Sequence, residues 1–402
     1  LPTGIKSYAL VKTTKINYDK NLHSLIGGSL KVFGFSPIIL NESDSTLNKQ
    51  NFSNQQTFTE STLFTEMNYD FRQNKTLNAG IRVSTFGNSD TIFTSIEPRI
   101  SFHGKFKNDY SLSSSVSYMT QPVHRVANPG LGFMFELFIP SGKGLLPQNS
   151  WNYSLGGAKD IILNKSKISL KVDAWYKSFQ NIVEFKDGYD VLMAMVYKRG
   201  IINNNIEITT QGKGYAYGID LSSYYTRKRL SITAGYTYMR AMNKFSELNN
   251  GNWFPASTDI HHSITLTGEY KISPNWTFNT TWQLRSGKPI TVPIYVIAFP
   301  TYNTETGELD SKNGNYQFIE NERNNFRTKT FHKLDISFTY IHKVFRKYDA
   351  SLSLGVYNVY NRANPYLYFI AEGKNNMGQS VPTLKSMSLF PILPSFNWSI
   401  KF

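Results

Sequence analysis

Apolar residues fall on every second position through most of the chain. Ile168, Leu170, Val172, Ala174 and Tyr176 share one parity, and Ser169, Lys171 and Asp173 take the other. That is the period of a strand with one apolar and one wet face. The same alternation runs through Leu63, Met67, Tyr69 and Phe71, through Leu230, Ile232, Ala234, Tyr236 and Tyr238, and through Leu334, Ile336, Phe338 and Tyr340. Helical spacing never persists over a comparable length. The pattern predicts fifteen strands, at about 5–18, 22–36, 57–71, 76–87, 93–106, 110–122, 148–163, 167–181, 211–226, 230–243, 259–271, 275–286, 325–343, 349–362 and 394–402. Most are more than twice the usual length of about 5 to 6 residues.

The connections alternate in length. Short ones lie near Asn17 to Leu22, Asp70 to Thr76, Lys105 to Tyr110, Leu163 to Ile168, Thr226 to Leu230, Tyr270 to Trp276 and His342 to Ala350. Long ones lie near 37–56, 123–147, 182–210, 244–258, 287–324 and 363–393, with a shorter one near 88–92. A soluble sandwich has no reason to keep every second loop long, whereas an outer-membrane barrel has tight periplasmic turns and long outer loops. Face polarity agrees. The polar parity carries Lys171, Asp173, Gln283, Arg285, Asp335 and Ser337, and fifteen strands enclose a lumen too wide for side chains to fill. The predicted fold is therefore all-β, a transmembrane antiparallel β-barrel occupying residues 1–402, with its apolar face turned to lipid. Single-chain bacterial barrels have even strand numbers. An odd count implies either a miscounted strand or the C-terminal part of a larger barrel, and the second is expected here.

Composition narrows the function. The longest apolar run, Val191 to Tyr197, is far short of the roughly 18 residues of a membrane helix. With no cysteine, disulfide scaffolds, thiolate metal sites and thiol catalysis are excluded. The chain carries 43 Lys+Arg against 28 Asp+Glu, a net +15. The short turns hold much of the excess, among them Lys20, Arg72, Lys75, Lys105, Lys107, Arg227, Lys228 and Arg229. Beside anionic headgroups such a rim gains about 1 kcal/mol per cation. Nucleic acid is excluded as a partner, because the basic residues sit at turns rather than on one interleaved face. Among seven histidines, only Asp259-Ile260-His261-His262 brings a carboxylate close, and no serine nucleophile can be placed beside it. No metal-ligand spacing, phosphate loop or calcium loop appears. No catalytic, cofactor or metal residues are expected.

The final segment, Pro394-Ser395-Phe396-Asn397-Trp398-Ser399-Ile400-Lys401-Phe402, resembles the C-terminal insertion signal of outer-membrane proteins, with Phe396, Trp398 and Phe402 as its rings. Gly355-Val356-Tyr357-Asn358-Val359-Tyr360-Asn361-Arg362-Ala363-Asn364-Pro365-Tyr366 resembles the penultimate-strand signature of TonB-dependent receptors of the Bacteroidota type. Phe331-His332-Lys333-Leu334-Asp335, Ser286-Gly287-Lys288-Pro289-Ile290-Thr291, Gly212 to Leu221 and Glu97-Pro98-Arg99 are similar to further strand motifs of that family.

The resemblance covers nearly the whole chain. It implies a 22-stranded barrel whose N-terminal plug, TonB box and about seven strands lie outside these residues. It also implies active import of a large nutrient such as a siderophore, glycan or peptide. A passive porin, or a barrel subunit of an assembly or secretion complex, is the alternative. The implied partners are outer-membrane lipid and lipopolysaccharide, the TonB complex through the plug, the barrel assembly machinery and a surface lipoprotein lid. Candidate ligand contacts in the long loops are His124, Arg125, Trp253, Tyr295, Tyr302, Arg323 and Tyr366. Arg285, Arg327 and Asp335 are expected to face the lumen or plug. The run Val191 to Tyr197 is expected to pack within the loop layer, the alternative being a docking edge for the surface lipoprotein.

Overall fold

The computed structural model describes all residues except 1–3, 37–55, 73, 128–135, 188–208, 294, 303–308, 320–321, 345–347, 375, 379 and 402. Fifteen long strands form one antiparallel wall: β1 Gly4–Asn17, β2 Leu22–Ser36, β3 Gln56–Phe71, β4 Lys75–Gly87, β5 Ile92–Lys105, β6 Tyr110–Gln121, β7 Gln148–Leu163, β8 Ser166–Phe185, β9 Thr209–Arg227, β10 Leu230–Phe245, β11 His262–Lys271, β12 Trp276–Arg285, β13 Phe331–Val344, β14 Tyr348–Tyr357 and β15 Leu393–Lys401. Each pairs with the next in chain order, and a short strand, Phe254–Pro255, adds to β10. Among the described residues β1 pairs only with β2 and β15 only with β14, so the wall is an open sheet rather than a closed ring.

The strand count and the short–long alternation follow the sequence pattern; several ends differ, each for a local reason. Expected from 325, β13 starts at Phe331 because Phe326–Arg327 pairs with Pro289–Ile290 instead. Expected from 259, β11 starts at His262, since Asp259 turns aside to accept the Ala241 N–H at 2.7 Å. Expected to end at 362, β14 stops at Tyr357, where Asn358 and Asn361 take φ of 55° and 52°. Strand β8 runs past the expected 181 to Phe185, through a bulge at Asn181 (φ 57°). The long loops carry hairpins of their own: Val123–Ala127 with Glu136–Pro140, Tyr295–Tyr302 with Leu309–Ile319, and Leu367–Lys374 with Ser380–Met387.

The wall is inside out by the standard of a soluble protein. Leu10, Leu63, Ile96, Leu155, Leu221 and Leu354 are exposed on one face, while Glu60, Thr62, Ser84 and Glu97 are buried on the other. An apolar face this broad has no solvent in water and suits hydrocarbon. Aromatic rings border it at both ends, as membrane interfaces favour. Near the loops Trp151 stacks on Tyr153 and Tyr215 on Tyr217. Near the turns Tyr69 stacks on Phe71 and Trp276 on Tyr340. There Lys75 and Lys159 lay their ammonium groups over Phe106 and Tyr110, at 4.6 and 4.3 Å from the ring centres. Phe396 and Trp398 are exposed on this lipid-facing side of β15, and Phe402 lies outside the described residues.

Candidate functional site

The lumen face of β2 to β5 combines rings and charges. Near the loop end Phe35 meets Phe58 edge-on, with centroids 5.5 Å apart, and Phe58 stacks on Phe86 at 5.3 Å. Val123, at the root of the first loop hairpin, packs on this cluster. One step further in, Arg82 lies across two strands. Its Nη2 is 2.5 Å from Glu60 Oε1, and its Nη1 is 3.9 Å from Glu97 Oε2. Lys31 Nζ approaches Glu60 Oε2 at 3.5 Å, and the Ser95 and Ser84 hydroxyls donate to Glu97 at 2.9 and 3.3 Å. Register explains the cluster: Lys31 stands opposite Glu60, and Arg82 opposite Glu97. Two cations offset two buried carboxylates.

A cleft of about 520 Å³ opens beside this network, closed on its far side by Tyr118, Thr120, Leu146 and Asn149. Strands β5 and β6 pair only from Arg99 with Ser117 to Lys105 with Ser111. The next residue on β5 is Pro98, which has no N–H for a ladder bond, and from there the strands part. The buried Arg82 Nε and Thr120 hydroxyl at the cleft make no hydrogen bond. Such a pocket can stack a flat group on its rings and bind polar atoms at its inner end. Below it the lumen face of β5 to β7 carries Ser101, Ser111, Ser113, Ser115, Ser117 and Ser154, with Arg99, His103 and Lys105 of β5 opposite Ser117, Ser113 and Ser111.

A second cluster locks the loop layer over β8 to β13. Arg323, 4% exposed, donates from Nε to Asp187 Oδ1 at 2.9 Å and from Nη2 to the Phe185 carbonyl at 2.6 Å. Its Nη1 lies 3.7 Å from Glu184 Oε2, and its backbone N–H donates to Asn249 Oδ1. Burial pushes the Glu184 carboxyl up, and Arg323 opposes that shift. Phe245, Leu248 and Phe254 form the apolar centre of this unit. Nearby, fully buried Asp259 pairs with Arg327 and with His261 Nε2 at 3.0 Å.

The residues singled out in the sequence are thus dispersed. His124 is 2% exposed, bonded through Nε2 to Ser141 Oγ at 3.1 Å, and burial pushes its pKa down to about 4. Arg125 is exposed on the same hairpin. Trp253 packs on Tyr215, on the lipid-facing side, with centroids 5.0 Å apart. Tyr366 is exposed, and its N–H donates to the Met387 carbonyl. Tyr295 and Tyr302 belong to a described loop strand, but their side chains lie outside the described residues, as does the run Val191 to Tyr197. Arg285 is exposed on the lumen face of β12. Asp335, on the same face of β13, pairs with Lys333 and accepts the Asn358 N–H at 2.9 Å. Arg327 sits on the short strand Phe326–Arg327 in the loop layer. Sequence reasoning passed over Glu60 and Arg82. Their signal was present as charges on the polar parity of adjacent strands, but the cross-strand register that joins them was not. Among the described residues no three His, Asp or Glu side chains are grouped to hold a metal ion.

The family model described as "TonB dependent receptor-like, beta-barrel" matches residues 6–359. No curated protein matches the sequence. Among solved structures, the FrpB iron transporter from Neisseria meningitidis is similar with a TM-score of 0.58 and 11% identity, over 98% of this chain and 54% of that one. The copper transporter OprC aligns with a TM-score of 0.59 and 10% identity, over 98% and 55%. The siderophore receptor PirA from Acinetobacter baumannii gives 0.56 and 14%, over 89% and 50%. At these identities the likeness shows the fold, and the chain spans about half the length of the structures it matches.

Proposed function

The chain belongs to the TonB-dependent receptor family, as β-barrel of an integral outer-membrane protein and not as an enzyme; on that premise we propose that it imports a scarce metal chelate, driven through TonB. The observation that carries the reading is the lumen cleft, where the Phe86 and Phe93 rings stand beside the Glu60, Arg82 and Glu97 network. A siderophore-type chelate offers flat or ring groups for the first and anionic oxygens for the free donors of Arg82. The similar iron, copper and siderophore structures support that cargo class over glycan or peptide.

In lipid a sheet edge cannot stay unpaired. The free edges of β1 and β15 therefore support closure by further strands, and a lumen that wide needs a plug. The plug contacts TonB in this proposal, and Arg285 and Asp335 are its wall contacts. Phe396 and Trp398 are offered to the barrel assembly machinery, and the loop layer is the surface for a lipoprotein lid.

The test is uptake of radiolabelled ferric chelates by cells carrying the full-length protein, with and without TonB and with Arg82→Gln. Uptake should require TonB and fall at least tenfold in the variant. Uptake that persists without TonB would favour a passive pore.

A further inference from the structure

Two prolines part the wall between β5 and β6. The ladder bonds of these strands fall on alternate residues, in the phase set where the Phe106 N–H donates to the Tyr110 carbonyl. Gly104 with Leu112, Phe102 with Ser114 and Ile100 with Val116 continue that phase. Carried past Arg99 and Ser117, it would set Pro98 opposite Tyr118, Ile96 opposite Thr120 and Thr94 opposite Pro122. Proline has no N–H, so two of these three rungs lack a donor, and no ladder pair forms above Arg99 and Ser117. Both strands stay paired on their other sides, β5 with β4 as far as Ile92 and β6 with β7 as far as Gln121. Those ladders use the odd-numbered residues, so the N–H and C=O groups of Thr94, Ile96 and Thr120 point into the parting.

The cleft of about 520 Å³ lies at this parting, with Thr94 and Ile96 lining one side and Tyr118 and Thr120 the other. The aromatic girdle gives its height: Tyr118 lies against Trp151, ring centroids 5.1 Å apart, and Ile96 is exposed on the lipid-facing side. Below that level β5 and β6 are zipped, as hydrocarbon demands of backbone polar groups. The edges separate only where water and headgroups reach them. On the lumen side the spare side-chain group is a donor. Lys31, Thr62, Ser84 and Ser95 occupy oxygens of Glu60 and Glu97, while the buried Arg82 Nε makes no hydrogen bond.

We propose that the parting is a strand-addition site for an extended peptide segment of another protein, one that alternates acidic and apolar residues. Such a segment lies between residues 94–98 and 118–121, antiparallel to one edge and parallel to the other. It gives each edge the main-chain partners that the prolines deny it. Its acidic side chains reach Arg82 on the lumen side, and its apolar ones continue the row of Ile96 and Tyr118 toward lipid. The site adjoins the cargo cleft but needs neither metal nor TonB, so its failure and that of the import reading are separately visible.

The experiment is fluorescence anisotropy of the purified full-length protein in detergent with a short labelled peptide alternating valine and glutamate. Binding should saturate, and N-methylation of either alternate set of its amides should weaken it about tenfold, because each set serves one edge. The lysine counterpart should bind about fivefold more weakly than the glutamate peptide, and Arg82→Gln should erase that preference. Pro98→Val restores the donor opposite Tyr118. It should close the parting, weaken the glutamate peptide about fivefold or more, and melt at or above the wild-type temperature. Lys171→Gln, far along the wall on β8, is the control and should bind as the wild type does. No saturable binding of the glutamate peptide, equal binding of its N-methylated forms, or wild-type affinity in Pro98→Val would overturn the proposal.

Discussion

Replacing Arg323 with Ala tests whether the loop layer over β8 to β13 is a single locked unit. The substitution leaves the Glu184 carboxylate without its cation and the Phe185 carbonyl without its donor, both beneath a layer in which Phe185 itself is fully buried. Breaking a buried pair from one side costs about 3 to 5 kcal/mol. The partner Asp187 has a half-exposed side chain and adds at most about 1 kcal/mol. Local opening should become easier by about 3 to 5 kcal/mol, which is a loss of roughly two to four orders of magnitude in amide protection. Hydrogen exchange read by mass spectrometry over 244–256 and 323–327 measures it, with β3 to β5 as an internal reference that should not change. Arg323→Lys should fall between, because an ammonium keeps the charge near Glu184 but cannot reproduce the fork to Asp187 and Phe185.

The effect should depend on pH. A carboxyl whose folded pKa is raised weakens the fold once the pH exceeds its unfolded value. Arg323→Ala removes the cation opposing that rise, so the loss should be larger at pH 8 than at pH 5. Exchange over 244–256 within threefold of wild type would refute the reasoning.

Three further outcomes follow from other sites. His124 has its pKa lowered to about 4, so its contribution is intact above about pH 6.5 and is lost as the pH falls toward 4, up to about 3 kcal/mol. Proteolysis of the hairpin at 123–140 should accelerate across that window in the wild type and not in His124→Gln. Gly287→Ala places a Cβ 1.7 Å from the Thr328 carbonyl oxygen. It should part the strands Pro289–Ile290 and Phe326–Arg327 at a cost of about 1 to 3 kcal/mol, visible as faster exchange at Thr328, whose N–H donates to Lys288 O. Asp259→Asn removes the charge that Arg327 and His261 share, and should destabilise the same layer by about 3 kcal/mol, seen as a lower melting temperature of that region by exchange.

Alternation alone determined that the chain is a membrane wall of fifteen strands with short basic turns at one end and long loops at the other. The cause is local: a strand's two faces are set by residue parity, and lipid rewards one parity along its whole length. Motifs around Glu97, Gly287 and Asn358 likewise carried the family. Strand ends escaped the pattern where a loop competed for the backbone, as at Phe326–Arg327 and Asp259.

Only the tertiary structure decided which charges meet. The Arg82 network depends on a register joining residues 31, 60, 82 and 97, and the Arg323 lock on loops separated by more than 130 residues. Parity likewise could not say which loop rings lie over the lumen and which, like Trp253 on Tyr215, border the lipid. A period of two fixes the face of a strand residue but carries no information about the path of a loop that leaves the wall.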